Sequence, residues 1–211
     1  MGVWWGCWLN AEKIIVNPHQ PTKDFEAALC QYTGARYAVA VNSCSMALLL
    51  AVAWHKPRMH PMDWTINIPK RTYVSVPMSI RHAGCWPTFR DEEWLGMYQL
   101  SPVPVWDSAR CFSSGMYSRG QFQCLSFHSS KILGDTQGGA ILHDNPAADE
   151  WLRRARFDGR TEGVAPKDDA FTQIGWHCYI SPDVSARLLL KLYSLPKYNK
   201  PLPNDPYPDL S

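Results

Sequence analysis

Apolar residues along the chain recur either at the three- to four-residue spacing of helices or in the short runs of buried strands. Residues 24–32 place apolar side chains at helical spacing, and Gly34 follows as a stop signal. Residues 38–41 then form a short apolar run, and the almost wholly apolar segment 46–54 follows a polar turn. This part of the chain therefore predicts a helix, a strand and a buried helix.

The same alternation continues to about residue 195. We predict strands at 66–68, 85–89, 102–106, 122–127 and 138–142, and helices at 74–82, 147–156 and 182–195. Short apolar strands that alternate with helices are typical of an α/β fold, in which a mostly parallel sheet carries helices on both faces. We therefore expect an α/β/α arrangement of three layers, with ligands bound beyond the carboxyl ends of the strands.

Composition divides the chain into three parts. An N-terminal segment at 1–23 is rich in tryptophan and atypical, the α/β domain occupies 24–195, and a tail at 196–211 holds five prolines. Because the tail contains little apolar material, we expect it to be extended or mobile.

Charge and cysteine content narrow the classes of function. The chain has 21 basic and 19 acidic residues and a net charge of +2, and this near balance disfavours a protein that coats nucleic acid. No apolar run reaches membrane-spanning length, and the opening segment lacks the basic region of a signal peptide. Seven widely spaced cysteines without a CxxC pair disfavour a zinc ribbon or a secreted disulfide scaffold. We therefore expect a soluble cytoplasmic protein that binds neither nucleic acid nor membrane.

Polar residues follow the predicted strands at the sheet edge where ligands bind. They are Ser43, Ser45, Thr72, Tyr73, Asp107, Ser126 and Lys131. Ser43 and Ser45 stand at the start of a helix, where backbone N–H groups and the helix dipole suit a phosphate, although a serine there can also only cap the helix. Asp107 closes an apolar strand, which is costly for a carboxylate without a cationic partner. Lys131 lies in a glycine-bounded loop, where a lone lysine is usually solvated.

Taken together, these segments match an ordered pattern. The segments are FEAALCQYTGARYAVAVNSCSMALLL at 25–50, IPKRTYVSVPMSIRHAGCWPTF at 68–89, VWDSAR at 105–110, SFHSSKILGDTQGGAIL at 126–142, and weaker ones at 156–159 and 175–186. In this order they resemble the DegT/DnrJ/EryC1/StrS family of sugar aminotransferases, which are pyridoxal-phosphate (PLP) enzymes of the aspartate-aminotransferase fold, fold type I. The segment with Lys131 is the most similar.

The resemblance implies a role for each matching residue. Lys131 would form the Schiff base with PLP and move the transferred proton, and Asp107 would pair with the pyridinium nitrogen. The other contacts would come from Tyr73 on the ring face, from Cys44, Ser45 and Ser126 at the phosphate, from Arg110 in place of a glutamine at the phenolic oxygen, and from His177 in place of an asparagine that reaches the neighbouring subunit's phosphate. The last contact implies a homodimer with shared active sites.

The function that the resemblance implies is that of a PLP-dependent transaminase. It would move an amino group from an amino acid, with glutamate as the first candidate, to a keto sugar nucleotide. Family members are nearly twice as long, and this chain has only a short link at 90–102 where they carry a further strand and helix. After residue 195 the C-terminal small domain is largely absent. Two alternatives therefore stay open: an inactive PLP-fold protein that acts as a binding or assembly partner, and a PLP enzyme for another carbonyl substrate.

Overall fold

A five-stranded sheet with helices on both faces organises the chain. The computed structural model describes residues 17–60 and 64–211. Within these ranges lie the helices α1 (Gln20–Thr33), α2 (Cys44–His55), α3 (Ser75–His82), α4 (Pro146–Ala155) and α5 (Pro182–Tyr193), and the strands β1 (Tyr37–Val41), β2 (Thr65–Pro69), β3 (Trp86–Arg90), β4 (Tyr98–Leu100), β5 (Val105–Asp107), β6 (Phe122–Ser126) and β7 (Gly139–His143). None of these helices is both long and apolar enough to cross a membrane.

The sheet is mixed. Its order is β1-β7-β6-β5-β4, in which β5 and β6 pair in parallel while β7 and β4 run antiparallel to their neighbours. A separate parallel pair, β2 and β3, joins it through a bridge between Asn67 and Ser101. The expectation of a mostly parallel sheet is therefore wrong in this respect. The loop at 127–138 contains no helix that could carry the chain back for a parallel pairing, so β7 returns antiparallel to β6.

The strands divide their side chains between two apolar cores. Val39 and Ile141 point to the core that α2, α3 and α4 cover, whereas Ala38 and Leu142 point to the core beneath α1 and α5. Successive strand residues face opposite sides of a sheet, so this alternation places a helical layer on each face. The α/β/α arrangement expected from the sequence is confirmed.

Most predicted elements are present with shifted ends. Helix α1 begins four residues before the predicted start because Pro21 fits the first helical turn, where its missing N–H costs nothing. Gly34 ends that helix in a left-handed conformation (φ +83°), and its N–H donates to the Cys30 carbonyl at 2.9 Å. The predicted stop signal is thus confirmed.

Strand β4 was not anticipated. The sequence predicted a strand at 102–106, but residues 101–104 form a tight reversal, and the strand that follows covers only Val105–Asp107. This reversal lets Tyr98–Leu100 pair antiparallel with β5. The short link therefore supplies an edge strand and places Tyr98 opposite Asp107.

The two ends of the chain differ in what is described. Residues 1–16, which include the tryptophan cluster of the predicted N-terminal segment, lie outside the described residues. The tail at 196–211 has neither helix nor strand, and in this it is extended as expected. It is nevertheless held against the domain, because the Leu202 N–H donates to the Arg110 carbonyl and the Leu210 N–H to the Lys70 carbonyl, both at 2.9 Å.

Candidate active site

A cavity of about 350 Å³ opens at the sheet edge where β1, β5 and β6 end. Seven of the eight residues selected from the sequence line it: Cys44, Ser45, Tyr73, Asp107, Arg110, Ser126 and Lys131. The fold brings them together because these residues follow different strands that end at the same edge. The position expected from strand ends is therefore where the structure places the cavity.

The start of α2 forms one wall of the cavity. Ser43 is the cap of that helix, and its hydroxyl accepts the Met46 N–H at 3.2 Å. The Ser45 hydroxyl shares a hydrogen bond of 2.6 Å with Ser75, which ties α2 to the start of α3. The first N–H groups of a helix have no acceptor within it, and its dipole favours an anion. Ser43 is thus the capping serine, and the helix start faces the cavity as an anion site.

Two glycines bring β7 against that helix start. Gly138 has a φ of +134° and bridges to Ser43. A Cβ atom on Gly139 would lie 2.5 Å from the carbonyl carbon of Ser43 and 2.6 Å from the nitrogen of Cys44. Because these contacts are with backbone, no side-chain movement can relieve them. Glycine is therefore required for the close approach that shapes this wall.

Asp107 is a buried carboxylate with two donors. The Ala109 N–H donates to Oδ1 at 2.9 Å, and the Tyr98 hydroxyl donates to Oδ2 at 3.0 Å. Tyr98 has one hydroxyl proton, so the Thr72 hydroxyl must donate to the Tyr98 oxygen across 2.5 Å. Asp107 and Tyr98 are 6% and 2% exposed. The carboxylate is therefore held in one orientation by a connected chain of hydroxyls.

Burial raises the pKa of Asp107, although the Ala109 N–H, the Tyr98 hydroxyl and the charges of Lys131 and Arg110 oppose the effect. A carboxylate in such surroundings gains from a cation placed against it. Burial also raises the pKa of Tyr98 well above its usual value, so this hydroxyl stays a donor. The site thus presents a carboxyl group whose ionised form a cationic ligand atom would stabilise.

Lys131 lies half-buried on the same cavity. Burial lowers the pKa of its amine, and the nearby charge of Arg110 lowers it further, while Asp107 acts in the opposite direction. A lowered pKa increases the share of neutral amine, the form that attacks a carbonyl group and accepts a proton. Lys131 therefore has the chemistry of a nucleophile or a base.

Arg110 joins the cavity to the tail. Its guanidinium is bound by Asp205, with Nη1 2.7 Å from Oδ2 and Nη2 3.3 Å from Oδ1, and Nη1 also donates to the Tyr207 hydroxyl at 3.1 Å. The Arg110 Nε is buried and has no hydrogen-bond partner in the described part of the chain. The N–H at Arg110 Nε is therefore a hydrogen-bond donor that a ligand could use.

Aromatic rings flank the cavity. Tyr73 is 58% exposed and lines it, so one face of this ring is open to a ligand. Tyr207 lies edge-on to Tyr73 with ring centroids 6.4 Å apart and stacks on Trp94 at 6.3 Å with an interplanar angle of 11°. The tail therefore adds an aromatic wall next to the ring that the sequence selected.

Ser126 and His177 have different positions. Ser126 ends β6 on the cavity, and its hydroxyl accepts the His128 N–H at 3.4 Å. His177 is away from this cavity: its exposed ring contacts Asp158, with Nδ1 and Oδ2 2.8 Å apart, and packs edge-on against Tyr179. A single chain thus keeps His177 outside its own cavity.

Four residues of the site carry no signal in the sequence pattern. They are Trp94, Tyr98, Asp205 and Tyr207, of which Tyr98 does not line the cavity but binds Asp107. The first two stand in the short link around β4, and the last two stand in the proline-rich tail. They were not predicted because the sequence analysis selected only polar residues that directly follow a predicted strand, and these residues do not follow one directly.

Comparison with known proteins gives a family and a fold. Residues 8–103 match the model of the DegT/DnrJ/EryC1/StrS aminotransferase family. The spore coat polysaccharide biosynthesis protein SpsC of Bacillus subtilis (strain 168) is 39% identical over 69 residues, which are 33% of this chain and 17% of that protein.

Solved structures extend the likeness over most of the chain. DesV of S. venezuelae, solved with a ketimine intermediate, has a TM-score of 0.66 at 20% identity, with 83% of this chain and 57% of that chain covered. Helicobacter pylori PseC, an aminotransferase of pseudoaminic acid biosynthesis, has a TM-score of 0.70 at 17% identity, with 83% and 58% covered. The chain thus spans well under two thirds of the length of these proteins.

These likenesses agree with the resemblance seen in the sequence. The structures show the fold of PLP aminotransferases, fold type I. The family match lies in the first half of the chain, which contains α1, β1 and α2. Residues 8–103 of this chain are therefore similar to the DegT/DnrJ/EryC1/StrS aminotransferase family, and the chain has the fold of PLP aminotransferases.

Proposed function

We propose that this protein is a PLP-dependent aminotransferase that moves an amino group from an amino acid, with glutamate as the first candidate, to a keto sugar nucleotide. The observation that carries the proposal is the placement of Lys131 and Asp107 on one cavity, beside the start of α2. A PLP site has three different chemical requirements, which are a lysine amine, a buried carboxylate and a helix start that binds an anion. The family match and the sugar-related relatives support the same activity.

The residues present fit PLP. Its aldehyde suits the Lys131 amine, its phosphate suits the start of α2, and its ring nitrogen suits Asp107. The orphaned Arg110 Nε is a donor for the ring's phenolic oxygen. A cavity of about 350 Å³ is large enough for a cofactor of this size. When bound, PLP supplies an electron sink for breaking the bond between a substrate carbon and its hydrogen.

The chain's own residues would position the reaction and move the proton. Lys131 Nζ would take the proton from the donor carbon and return it at the carbon that becomes aminated, because its lowered pKa leaves part of the amine neutral. Asp107, fixed by Tyr98, would hold a positive charge at the ring nitrogen. The open face of Tyr73 would cover the ring and restrict its orientation.

The partner and compartment belong to the same proposal. His177 is exposed and lies outside its own cavity, so it is positioned to act on a second copy, and we propose a homodimer with shared sites. All six cysteines among the described residues are free, which supports a location in the cytoplasm, where thiols stay reduced.

The experiment that tests the proposal traps the cofactor. Purified protein is mixed with PLP and reduced with borohydride, and the modified peptide is identified by mass spectrometry. We expect the added mass on Lys131 and its loss in Lys131→Ala, while Lys167→Ala, which changes an exposed lysine outside the cavity, behaves as wild type. No modification at Lys131 in a folded protein would overturn the proposal.

Turnover then separates the alternatives. L-glutamate is added to the PLP-loaded protein, and the release of 2-oxoglutarate is measured before and after a panel of keto sugar nucleotides is supplied. Release of one equivalent with glutamate alone, and more with an acceptor, supports the aminotransferase. The specific reason to keep an inactive binding partner as the second candidate is that the chain spans only 57–60% of the solved structures. Trapping at Lys131 without any release would favour that candidate.

A further inference from the structure

Part of the proline-rich tail lines the cavity. This segment, residues 202–210, is called the tail strap. It is anchored at its two ends by the backbone hydrogen bonds of Leu202 and Leu210. Between these anchors, Asp205 and Tyr207 line the cavity. The tail strap is therefore part of the cavity wall, and its position affects how a substrate enters the cavity.

Within the cavity, the strap makes one charged contact, between Asp205 and Arg110. Arg110 is 7% exposed, whereas the side chain of Asp205 is 62% exposed. Both oxygens of the carboxylate contact the guanidinium, one at each Nη. This is the paired geometry with which arginine recognises carboxylates. A buried cation thus depends on an anion that solvent can reach.

The balance of charges in the cavity restricts when the tail strap can move away from it. The cavity contains the two cations Arg110 and Lys131 and the two anions Asp107 and Asp205. If Asp205 moved away, Arg110 would be left as a buried cation without its anion, which is costly. A second anion in the same place would restore the balance.

We propose that Arg110 is a carboxylate subsite, that Asp205 occupies it in the free protein, and that the carboxylate of the amino-acid donor displaces Asp205 and opens the tail strap. The exchange replaces one carboxylate by another, so it leaves the charge of the cavity unchanged. It deepens the proposed function by assigning a site to the donor's carboxylate. The binding itself requires no PLP, and this allows a separate test.

The experiment measures binding of glutarate, a dicarboxylate that cannot be transaminated, to the full chain without PLP. Titration calorimetry compares wild type with Asp205→Asn. The matched control is Asp168→Asn, which removes an exposed carboxylate outside both the tail strap and the cavity. Glutaramide, which has the same length without charge, is the ligand control, and inorganic phosphate reports whether any anion suffices.

We expect Asp205→Asn to bind glutarate about tenfold more tightly than wild type, because the closed form no longer competes. Asp168→Asn should stay within about twofold of wild type. Hydrogen exchange of peptides from the tail strap provides a second measurement that needs no variant. Glutarate should increase exchange there in the wild-type protein, since the amides of Leu202 and Leu210 lose their acceptors when the strap opens.

Several results would overturn the inference. They are equal or weaker glutarate binding by a folded Asp205→Asn, unchanged exchange in the tail strap, and equal affinity for glutaramide or for phosphate. Absence of glutarate binding in both proteins has the same meaning. None of these results bears on PLP trapping at Lys131, so a failed subsite and a failed cofactor assignment are distinguishable.

Discussion

The Tyr98 hydroxyl donates a hydrogen bond to Asp107 Oδ2 at 3.0 Å, and the two residues are direct partners in the β4–β5 pairing. The contact exists because the short link folds back as an edge strand. It gives a buried carboxylate a second donor besides the Ala109 N–H. The short link at 90–102 thus orients the buried carboxyl group of the cavity.

Replacing Tyr98 tests that relationship. Tyr98→Phe keeps the ring and removes the donor to Asp107, and we expect PLP affinity to fall about tenfold or more, as for the loss of one hydrogen bond to a charged group. The measurement is a PLP titration followed by visible absorbance. Tyr117→Phe is the control, since its hydroxyl donates to the Gln121 carbonyl outside the cavity. Equal losses in both variants would contradict a specific effect on Asp107.

Gly139 provides a second test, because it sets the distance between β7 and the start of α2. In Gly139→Ala the new Cβ would press on the backbone of Ser43 and Cys44, and we expect destabilisation by about 1–3 kcal/mol together with weaker PLP binding. Chemical unfolding and PLP titration measure the two effects. Gly120→Ala is the control, because Gly120 has a positive φ but open space around it. That variant should lose about 1 kcal/mol of stability and keep its PLP affinity.

Strand-end reasoning explains why part of the site could be predicted from the sequence. Asp107 and Lys131 each follow an apolar strand, and apolar runs are visible locally. Tyr98 was not predicted because a three-residue edge strand is too short to show an alternation of apolar and polar residues. Asp205 was not predicted because it lies 95 residues from Arg110 in the sequence, and no local pattern indicates such a long-range contact. Strand direction was misjudged at β7 because an apolar run does not show its partner.

A buried charge cluster offers a prediction about stability. Glu26 is 4% exposed and binds Arg153 across 2.6 Å, contacts Arg156, and accepts the Ala40 N–H at 2.8 Å, so it joins α1, α4 and β1. Glu26→Ala removes the nearest anion of the buried Arg156 and leaves it only the more distant Glu162 at 3.5 Å, and we expect a loss of about 3–5 kcal/mol. Urea unfolding measures it, with the exposed Glu93→Ala as control. A loss as small as that of the control would show that water or another acid replaces Glu26.

The last prediction concerns the protonation of Lys131. Because burial and the charge of Arg110 lower its pKa, Lys131 should become reactive at a lower pH than a lysine side chain in water. In Arg110→Gln the like charge is gone, the pKa of Lys131 rises, and the pH midpoint of its reactivity should move upward. Competitive labelling with acetic anhydride, read by mass spectrometry at each lysine, follows both midpoints without any cofactor. Arg119→Gln, which changes an exposed arginine outside the cavity, should leave the midpoint unchanged. A downward shift in Arg110→Gln would mean that Arg110 acts on Lys131 mainly by holding Asp205 in the cavity wall, and not through its own charge.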